Sequence, residues 1–520
     1  MPKLPRSCRA ALCLLWLACC VPLVASALTL QRIVVTGNSA LPVAALEAVT
    51  ADYLNRPLKD EHLQELRRRL EGLFAEAGYR STRVTFPDQT LARGELRVEV
   101  VEAIIEDVIV QGTVRLDPDF LARRITRGLG KPVDIRKLDD NLRLLRLEQL
   151  VERVKAEFRP GSAPDRQILV VSVEEAPSFS LGFRVGNDRS PVVGSYAGTV
   201  EGAVRNLTGR GDEVGVAHGS ADGLRSIEFR LRAPLNSLGT ELVGRYLDYE
   251  SSLVEEQFAV LGAGTEMRGA EAGLTHPLWR SVARQITVGG RYTQRWSESF
   301  LLGEPFSFSP EADNGRVRVE AARFHVQWLE RGARDVLSLR YQLSAGIGGT
   351  KNAYPVPDAH FVSSLVQAQW LHVFSPRTGQ LFVRGDFQFT GQPLVSMERF
   401  SVGGLGSVRG YRRSLDVTDN GWSASIEYRY PVLRLALPGS AEGDGQLWAL
   451  AFVDAGRGWN DLGADEPLLL AAGPGVRWDA TRKIRAELHW GGLRRRLSGV
   501  PNEDLQDDGL HFMVSARVGF

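Results

Sequence analysis

At 520 residues the chain has room for two or three domains, and with 43% hydrophobic residues it is too apolar to be disordered. Its 63 Lys and Arg balance 62 Asp and Glu, a formal net charge of +1, so no concentrated basic surface argues for nucleic-acid binding. Residues 1–27 read as a secretory signal peptide: Lys3, Arg6 and Arg9 precede an apolar Ala10 to Val24, then the cleavage triplet Ala25-Ser26-Ala27. All four cysteines, Cys8, Cys13, Cys19 and Cys20, lie inside it, which excludes disulfides and thiolate chemistry from the mature chain. Trp16 and Leu17 do not suit a lipobox. No later run of about 18 apolar residues offers a transmembrane helix, so any membrane span would have to be a barrel.

Residues 28 to 176 hold one unit twice. "IVVTGNSALP" from Ile33 returns as "VIVQGTVRLD" from Val108, with Gly37 matching Gly112 and Pro57 matching Pro132. A period of about 75 residues suits two duplicated small domains, 28–103 and 104–176, and is too long for a solenoid. Each unit ends on a strand closing in Glu-Ala, at Glu102-Ala103 and Glu175-Ala176. The order expected within each is strand, helix, helix, strand, strand. Leu63, Leu66, Leu70, Leu73 and Phe74 keep helical spacing over Glu61 to Ala77, and Gly78 is placed to end the helix. In the second copy Leu138, Leu142, Leu145 and Leu150 predict a helix from Lys137 to Phe158. These leucines make a packed core; function in such a domain would come from an exposed sheet edge, where an extended peptide adds a strand.

From Pro177 to the end, 177–520, the period becomes two. Leu337, Leu339, Tyr341 and Leu343 alternate with Ser338, Arg340, Gln342 and Ser344, and Ile484, Ala486, Leu488 and Trp490 with Lys483, Arg485, Glu487 and His489. Runs of about ten residues cross a bilayer at a barrel's tilt. Several are expected to end in a proline turn, at "RAPLN" from Arg232, "THPLW" from Thr275 and "RYPVL" from Arg429, while other connections are long. About 340 residues then make on the order of 16 antiparallel strands. The final run sets Phe512, Val514, Ala516, Val518 and Phe520 on one face, as a last strand at the lipid interface would.

The stretch "GGLGSVRGY", Gly403 to Tyr411, puts one arginine among four glycines. It is not a dinucleotide loop: after Gly404-x-Gly406 the third glycine of G-x-G-x-x-G is replaced by Arg409. Read by itself, Arg409 is a solvated loop residue and Asp454 one of many lumen charges. No H-E-x-x-H, Walker loop or G-x-S-x-G elbow is present, which argues against an enzyme, and no cofactor or metal set is visible. Glu174-Glu175 and Asp139-Asp140 read as solvated surface.

Taken together, these residues resemble the two-partner secretion transporters of the outer membrane, the TpsB proteins, along nearly the whole mature chain. The motifs that carry the resemblance are Val408-Arg409-Gly410-Tyr411, then Phe452-Val453-Asp454-Ala455-Gly456, and "NLTGRGDEV" at Asn206 to Val214. The resemblance implies two periplasmic POTRA domains before a 16-stranded barrel, and a loop that folds back into it with Arg409 paired to Asp454. A guanidinium in a confined channel needs a fixed carboxylate and can bind one bidentately. If Asp454 points inward, Phe452 and Gly456 share its face, and Gly456 leaves room for the loop; "LWALAFVDAG" is apolar on both faces, so periodicity does not orient it. Some members begin with a plug helix; here "LTLQRIVVTGN" follows the signal peptide at once, which turns attention to the Arg409 loop as the occluding element.

The implied function is an outer-membrane pore that recognises a cognate exoprotein, of adhesin or haemolysin type, and passes it from periplasm to cell surface. The partners are that exoprotein, outer-membrane lipid and, during biogenesis, the barrel assembly machinery, with no nucleic acid. Candidate exoprotein contacts are Leu66, Leu70, Tyr79, Val84 and Phe86 in the first domain and the helix from Lys137 in the second. A barrel-assembly insertase, which would usually carry three or more POTRA domains, and a passive porin with periplasmic domains stay as alternatives.

Overall fold

A computed structural model describes residues 29–57, 59–89, 94–375, 377–460, 467–493 and 504–520. The expected signal peptide, 1–27, lies outside these described residues.

The first repeat is a three-stranded sheet under two helices. Glu95–Val101 is its central strand, parallel to Arg32–Thr36 and antiparallel to the edge strand Arg83–Thr85. Helices Val43–Thr50 and Asp60–Glu76 lie between the first two strands in sequence. Leu66, Leu70 and Phe74, at helical spacing, are buried with Leu96, Val98 and Val100, which alternate along the strand with exposed Arg97 and Glu99. Burying each such side chain contributes about 1.5–3 kcal/mol. The long helix closes where Tyr79 N donates to Phe74 O at 2.8 Å, around Gly78 at φ 104°.

The second repeat keeps the order: strand Ile104–Gln111, helices Pro118–Ile125 and Ile135–Leu147, strands Val151–Pro160 and Arg166–Glu175. Both copies end in Glu-Ala for a physical reason. The Glu102 carboxylate accepts the backbone N–H groups of Ser39 and Ala40 at 2.8 and 2.9 Å, and Glu175 those of Val114, Arg115 and Leu116 at 2.7–2.9 Å, so each stitches the last strand to the turn after the first. The helix expected from Lys137 to Phe158 is corrected: it ends at Leu147, and Val151–Pro160 is a strand. Gln149 adopts φ 57°, which breaks the helix, and the β-branched Val151 and Val154 beyond it favour a strand.

Sixteen antiparallel strands then close a barrel: Phe179–Gly186, Ala197–Arg205, Glu213–Ala221, Leu224–Pro234, Glu241–Ser252, Gly264–Arg280, Arg284–Leu301, Arg316–Arg331, Asp335–Gly349, Val362–Ser375, Gly379–Thr390, Asn420–Arg434, Gln446–Trp459, Leu469–Asp479, Ile484–Trp490 and Leu510–Gly519. The last strand pairs with the first. Phe520 and Phe179 exchange backbone hydrogen bonds at 3.0 Å and stack their rings 6.2 Å apart. Val518 and Phe520 face outward, and Phe512 leans on the Tyr196 ring 6.2 Å away. Along the strands large apolar residues such as Phe229, Tyr292, Phe324 and Val453 are exposed on the outer face while the alternate positions are polar, the signature of a wall between lipid and lumen. Among the described residues no helix is long and apolar enough to cross a membrane.

Two of the three proline turns are corrected. Pro277 and Pro431 sit inside strands that continue to Arg280 and Arg434, each at a register shift. A bulge tolerates the missing N–H that a regular ladder would need, so the strand runs on past the proline. Pro234 does end its strand.

Candidate functional site

The connection 391–419, between the eleventh and twelfth strands, turns into the barrel. It carries a short hairpin, Phe400–Val402 against Asp416–Thr418. On the thirteenth strand Leu450, Phe452, Asp454 and Gly456 are buried and Val453 is exposed on the outer face, which orients Asp454 inward.

Arg409 is 4% exposed and Asp454 0%. The guanidinium holds the carboxylate bidentately, Nε to Oδ2 at 2.7 Å and Nη2 to Oδ1 at 2.8 Å, and the Arg409 backbone N–H adds a third bond to Oδ2 at 3.0 Å. Nη1 donates to Glu427 and Nη2 to Ser425 Oγ at 3.0 Å. The Phe452 ring lies under the cation, 3.6 Å from Cζ to centroid. Desolvating these charges is tolerable only because each is paired and hydrogen-bonded. Arg429 in turn donates to Glu427 at 2.7 Å, so two arginines meet two carboxylates.

The rest of the motif shapes the seat. Gly410 has φ 95°, and a Cβ there would come 2.6 Å from Gly491 O; its N–H donates to His511 Nε2 at 3.1 Å. A Cβ on Gly456 would come 2.7 Å from Val402 Cγ1 and 3.0 Å from Val408 Cγ2, so the glycine is where the loop presses on the wall. Val408 and Tyr411 pack with Val402, Leu469 and Ala471. Tyr411 OH donates to Leu470 O at 3.3 Å.

The loop is also held near its start. Glu398 Oε1 accepts from Arg295 Nη1 at 3.1 Å and Arg323 Nη2 at 2.6 Å, on the seventh and eighth strands. Leu394 and Val395 pack against Val317, Val319 and Ala321 of the eighth. His511 lies on the sixteenth strand, about half the ring away, so the loop bridges opposing walls.

Sequence reasoning missed Ser425, Glu427, His511, Glu398, Arg295 and Arg323. The signal was present for Glu427: Ser423, Ser425, Glu427 and Arg429 alternate with outward Ile426, Tyr428 and Tyr430. The exoprotein contacts expected in the first domain divide. Leu66, Leu70 and Val84 are 1%, 0% and 2% exposed, their surfaces spent on the domain core, which corrects their assignment to a binding groove; Tyr79 and Phe86 are partly buried at its margin. "NLTGRGDEV" forms the turn between the second and third barrel strands, where the Asp212 carboxylate accepts from Leu207 N, Thr208 N and Thr208 Oγ1 at 2.6–3.1 Å. Among the described residues no cluster of metal-ligating side chains occurs.

A closed barrel with an apolar outer face, two small α+β repeats before it and a loop bound inside it define an outer-membrane barrel of the POTRA-bearing class. Residues 166–478 match the family described as haemolysin secretion/activation protein ShlB/FhaC/HecB, and residues 28–103 match the ShlB-type POTRA domain. The chain belongs to this haemolysin secretion/activation family. The outer membrane transporter CdiB of Dickeya dadantii (strain 3937) is 21% identical over 450 residues, 83% of this chain and 76% of the relative. CdiB of Escherichia coli is 22% identical over 475 residues, 84% and 74% of the two chains. The solved structure of CdiB from Escherichia coli superposes with a TM-score of 0.71 at 18% identity, covering 94% of this chain and 90% of that one. BamA from Haemophilus ducreyi lacking POTRA domains 1–3 gives 0.57 at 14% identity, over 94% and 100%; at such identities the likeness speaks for the fold. The protein is an outer-membrane secretion transporter of the two-partner type, its POTRA domains in the periplasm.

Proposed function

We propose that Arg409 and Asp454 form a lock that holds the loop 391–419 across the pore, and that the cognate exoprotein passes when the loop yields. The exoprotein is a large adhesin or haemolysin. It meets the POTRA pair unfolded, adds to a sheet edge such as Arg83–Thr85 beside Tyr79 and Phe86, threads outward, and folds outside so that return is disfavoured. The chain performs no chemistry on its cargo, and the barrel assembly machinery and outer-membrane lipid are its partners during biogenesis. The observation that carries the lock is the bidentate pair at 2.7 and 2.8 Å inside a closed ring of strands.

Exoprotein secretion and single-channel current, measured for Arg409→Ala, Asp454→Ala and the exchanged pair R409D/D454R, test it. Both single variants are expected to lose secretion or to conduct erratically, and the exchange to restore part of either. Single variants that secrete and conduct as the parent does would sink the lock.

A further inference from the structure

The lumen wall across from the lock breaks a rule of sheet pairing. Register sets Arg230 directly opposite Arg245 and Arg291 directly opposite Arg323. All four face inward, because their neighbours Phe229, Tyr246, Tyr292 and Phe324 are the outward, exposed ones. Like charges opposed across a ladder destabilise it, and a local rule broken without gain to the fold marks function.

The first pair is compensated. Arg245 donates to Glu228 through Nε and Nη2 at 3.0 and 3.1 Å, and Arg230 to Glu201 at 3.2 Å. The second is not. Among the described residues Arg291 reaches a carboxylate only at Glu271, 3.9 Å away and beyond hydrogen-bond range, and Glu271 is shared with Arg245 at 3.9 Å and Arg295 at 3.7 Å. Arg291 Nε is buried with no hydrogen-bond partner among the described residues. Arg340, on the ninth strand, donates to Gln342 at 3.2 Å and forms no ion pair among the described residues.

How a carboxylate is taken here is already visible. Glu398, lent by the loop, is clasped by Arg295 and Arg323, and Arg323 is itself steadied by Thr293 at 3.1 Å and Ser344 at 2.9 Å. Arg291, Arg295 and Arg323 thus draw on two carboxylates, Glu271, which Arg245 also shares, and Glu398, which arrives with the loop, while Arg340 beside them pairs with neither.

We propose that Arg291, Arg295, Arg323 and Arg340 form a station on the lumen wall that binds carboxylate side chains of the exoprotein in transit, with Glu398 filling it while the loop is seated. This rests on the lumen being the transport path. An acidic segment exchanges for Glu398 like for like, so entry of cargo and release of the loop's start become one event. Shared, incompletely satisfied arginines also let go easily, which a conduit requires.

The test uses the purified full-length protein in a planar bilayer, with poly-L-glutamate, poly-L-glutamine and poly-L-lysine added on the POTRA side. Polyglutamate is expected to block the current at a concentration about tenfold below either other polymer, and the double variant R291Q/R340Q to erase that preference. The thermal midpoint of the variant is expected to hold or rise, because repulsion is relieved. Equal block by the three polymers, or an unchanged preference in R291Q/R340Q, overturns the station while leaving the pore intact. A lowered midpoint with reduced block makes these arginines structural and overturns it too. A parent protein that carries no current strikes the transport path itself, and the station falls with it.

Discussion

The two ends of the pore loop are held by opposite chemistry. At the tip a loop cation, Arg409, sits among wall carboxylates, Asp454 and Glu427. At the start a loop carboxylate, Glu398, sits among wall cations, Arg295 and Arg323. The tip is self-contained: Arg409 and Arg429 meet Asp454 and Glu427, the carboxylate of Asp454 takes both forks of the guanidinium, and Phe452 covers the cation. The start is left in surplus, with Arg291 and Arg340 short of counter-charge. A balanced, dry pair behaves as a latch, since either partner alone is a buried charge without compensation. A surplus wall behaves as a surface for exchange, because the incoming anion replaces one already there.

Breaking the tip therefore carries the largest effect. Arg409→Ala leaves Asp454 and Glu427 buried with only Arg429 and, farther off, Arg384 as cations nearby, and is expected to cost about 3–5 kcal/mol; the thermal midpoint of the purified barrel measures it. Breaking the start is expected to cost less. Glu398→Gln keeps a carbonyl for one arginine but removes the charge from both, about 1–3 kcal/mol, and raises basal ion current through the bilayer-inserted protein because the loop's start is freed. Equal losses at both ends would erase the distinction between latch and exchange surface.

Much of this was legible in sequence, and the remainder was illegible for identifiable reasons. The duplication, the change of period at Pro177 and the strand count follow from spacing alone, since side-chain alternation is a local consequence of pleating. The pairing of Arg409 with Asp454 entered through resemblance, because a loop arginine and a carboxylate 45 positions away on an apolar-looking strand leave no periodic trace. Glu427 stood in a readable alternation, yet nothing local distinguishes it from any lumen carboxylate. Glu398 closes a single 3-10 turn, Ser396–Glu398, and meets partners 103 and 75 residues away, a contact made only when the loop folds inward. Leu66, Leu70 and Val84 misled in the other direction: an apolar stripe cannot say whether it faces a core or a partner.

The smallest effect asks how much of the latch is charge and how much is packing. Tyr411 is 2% exposed in the apolar seat with Val408, and its hydroxyl reaches Leu470 O at 3.3 Å, at the long edge of a hydrogen bond. Tyr411→Phe keeps the ring and removes that bond together with the 3.4 Å one the hydroxyl accepts from Leu470 N, so the expected loss is about 0.5–1.5 kcal/mol, with secretion near the parent's level. The Leu470 carbonyl loses this donor, which places the value toward the upper part of the range if water cannot replace it. A loss as large as that of Arg409→Ala would mean that the hydroxyl orients the whole turn, and that the tip depends on its tie to Leu470 as much as on the charged cluster.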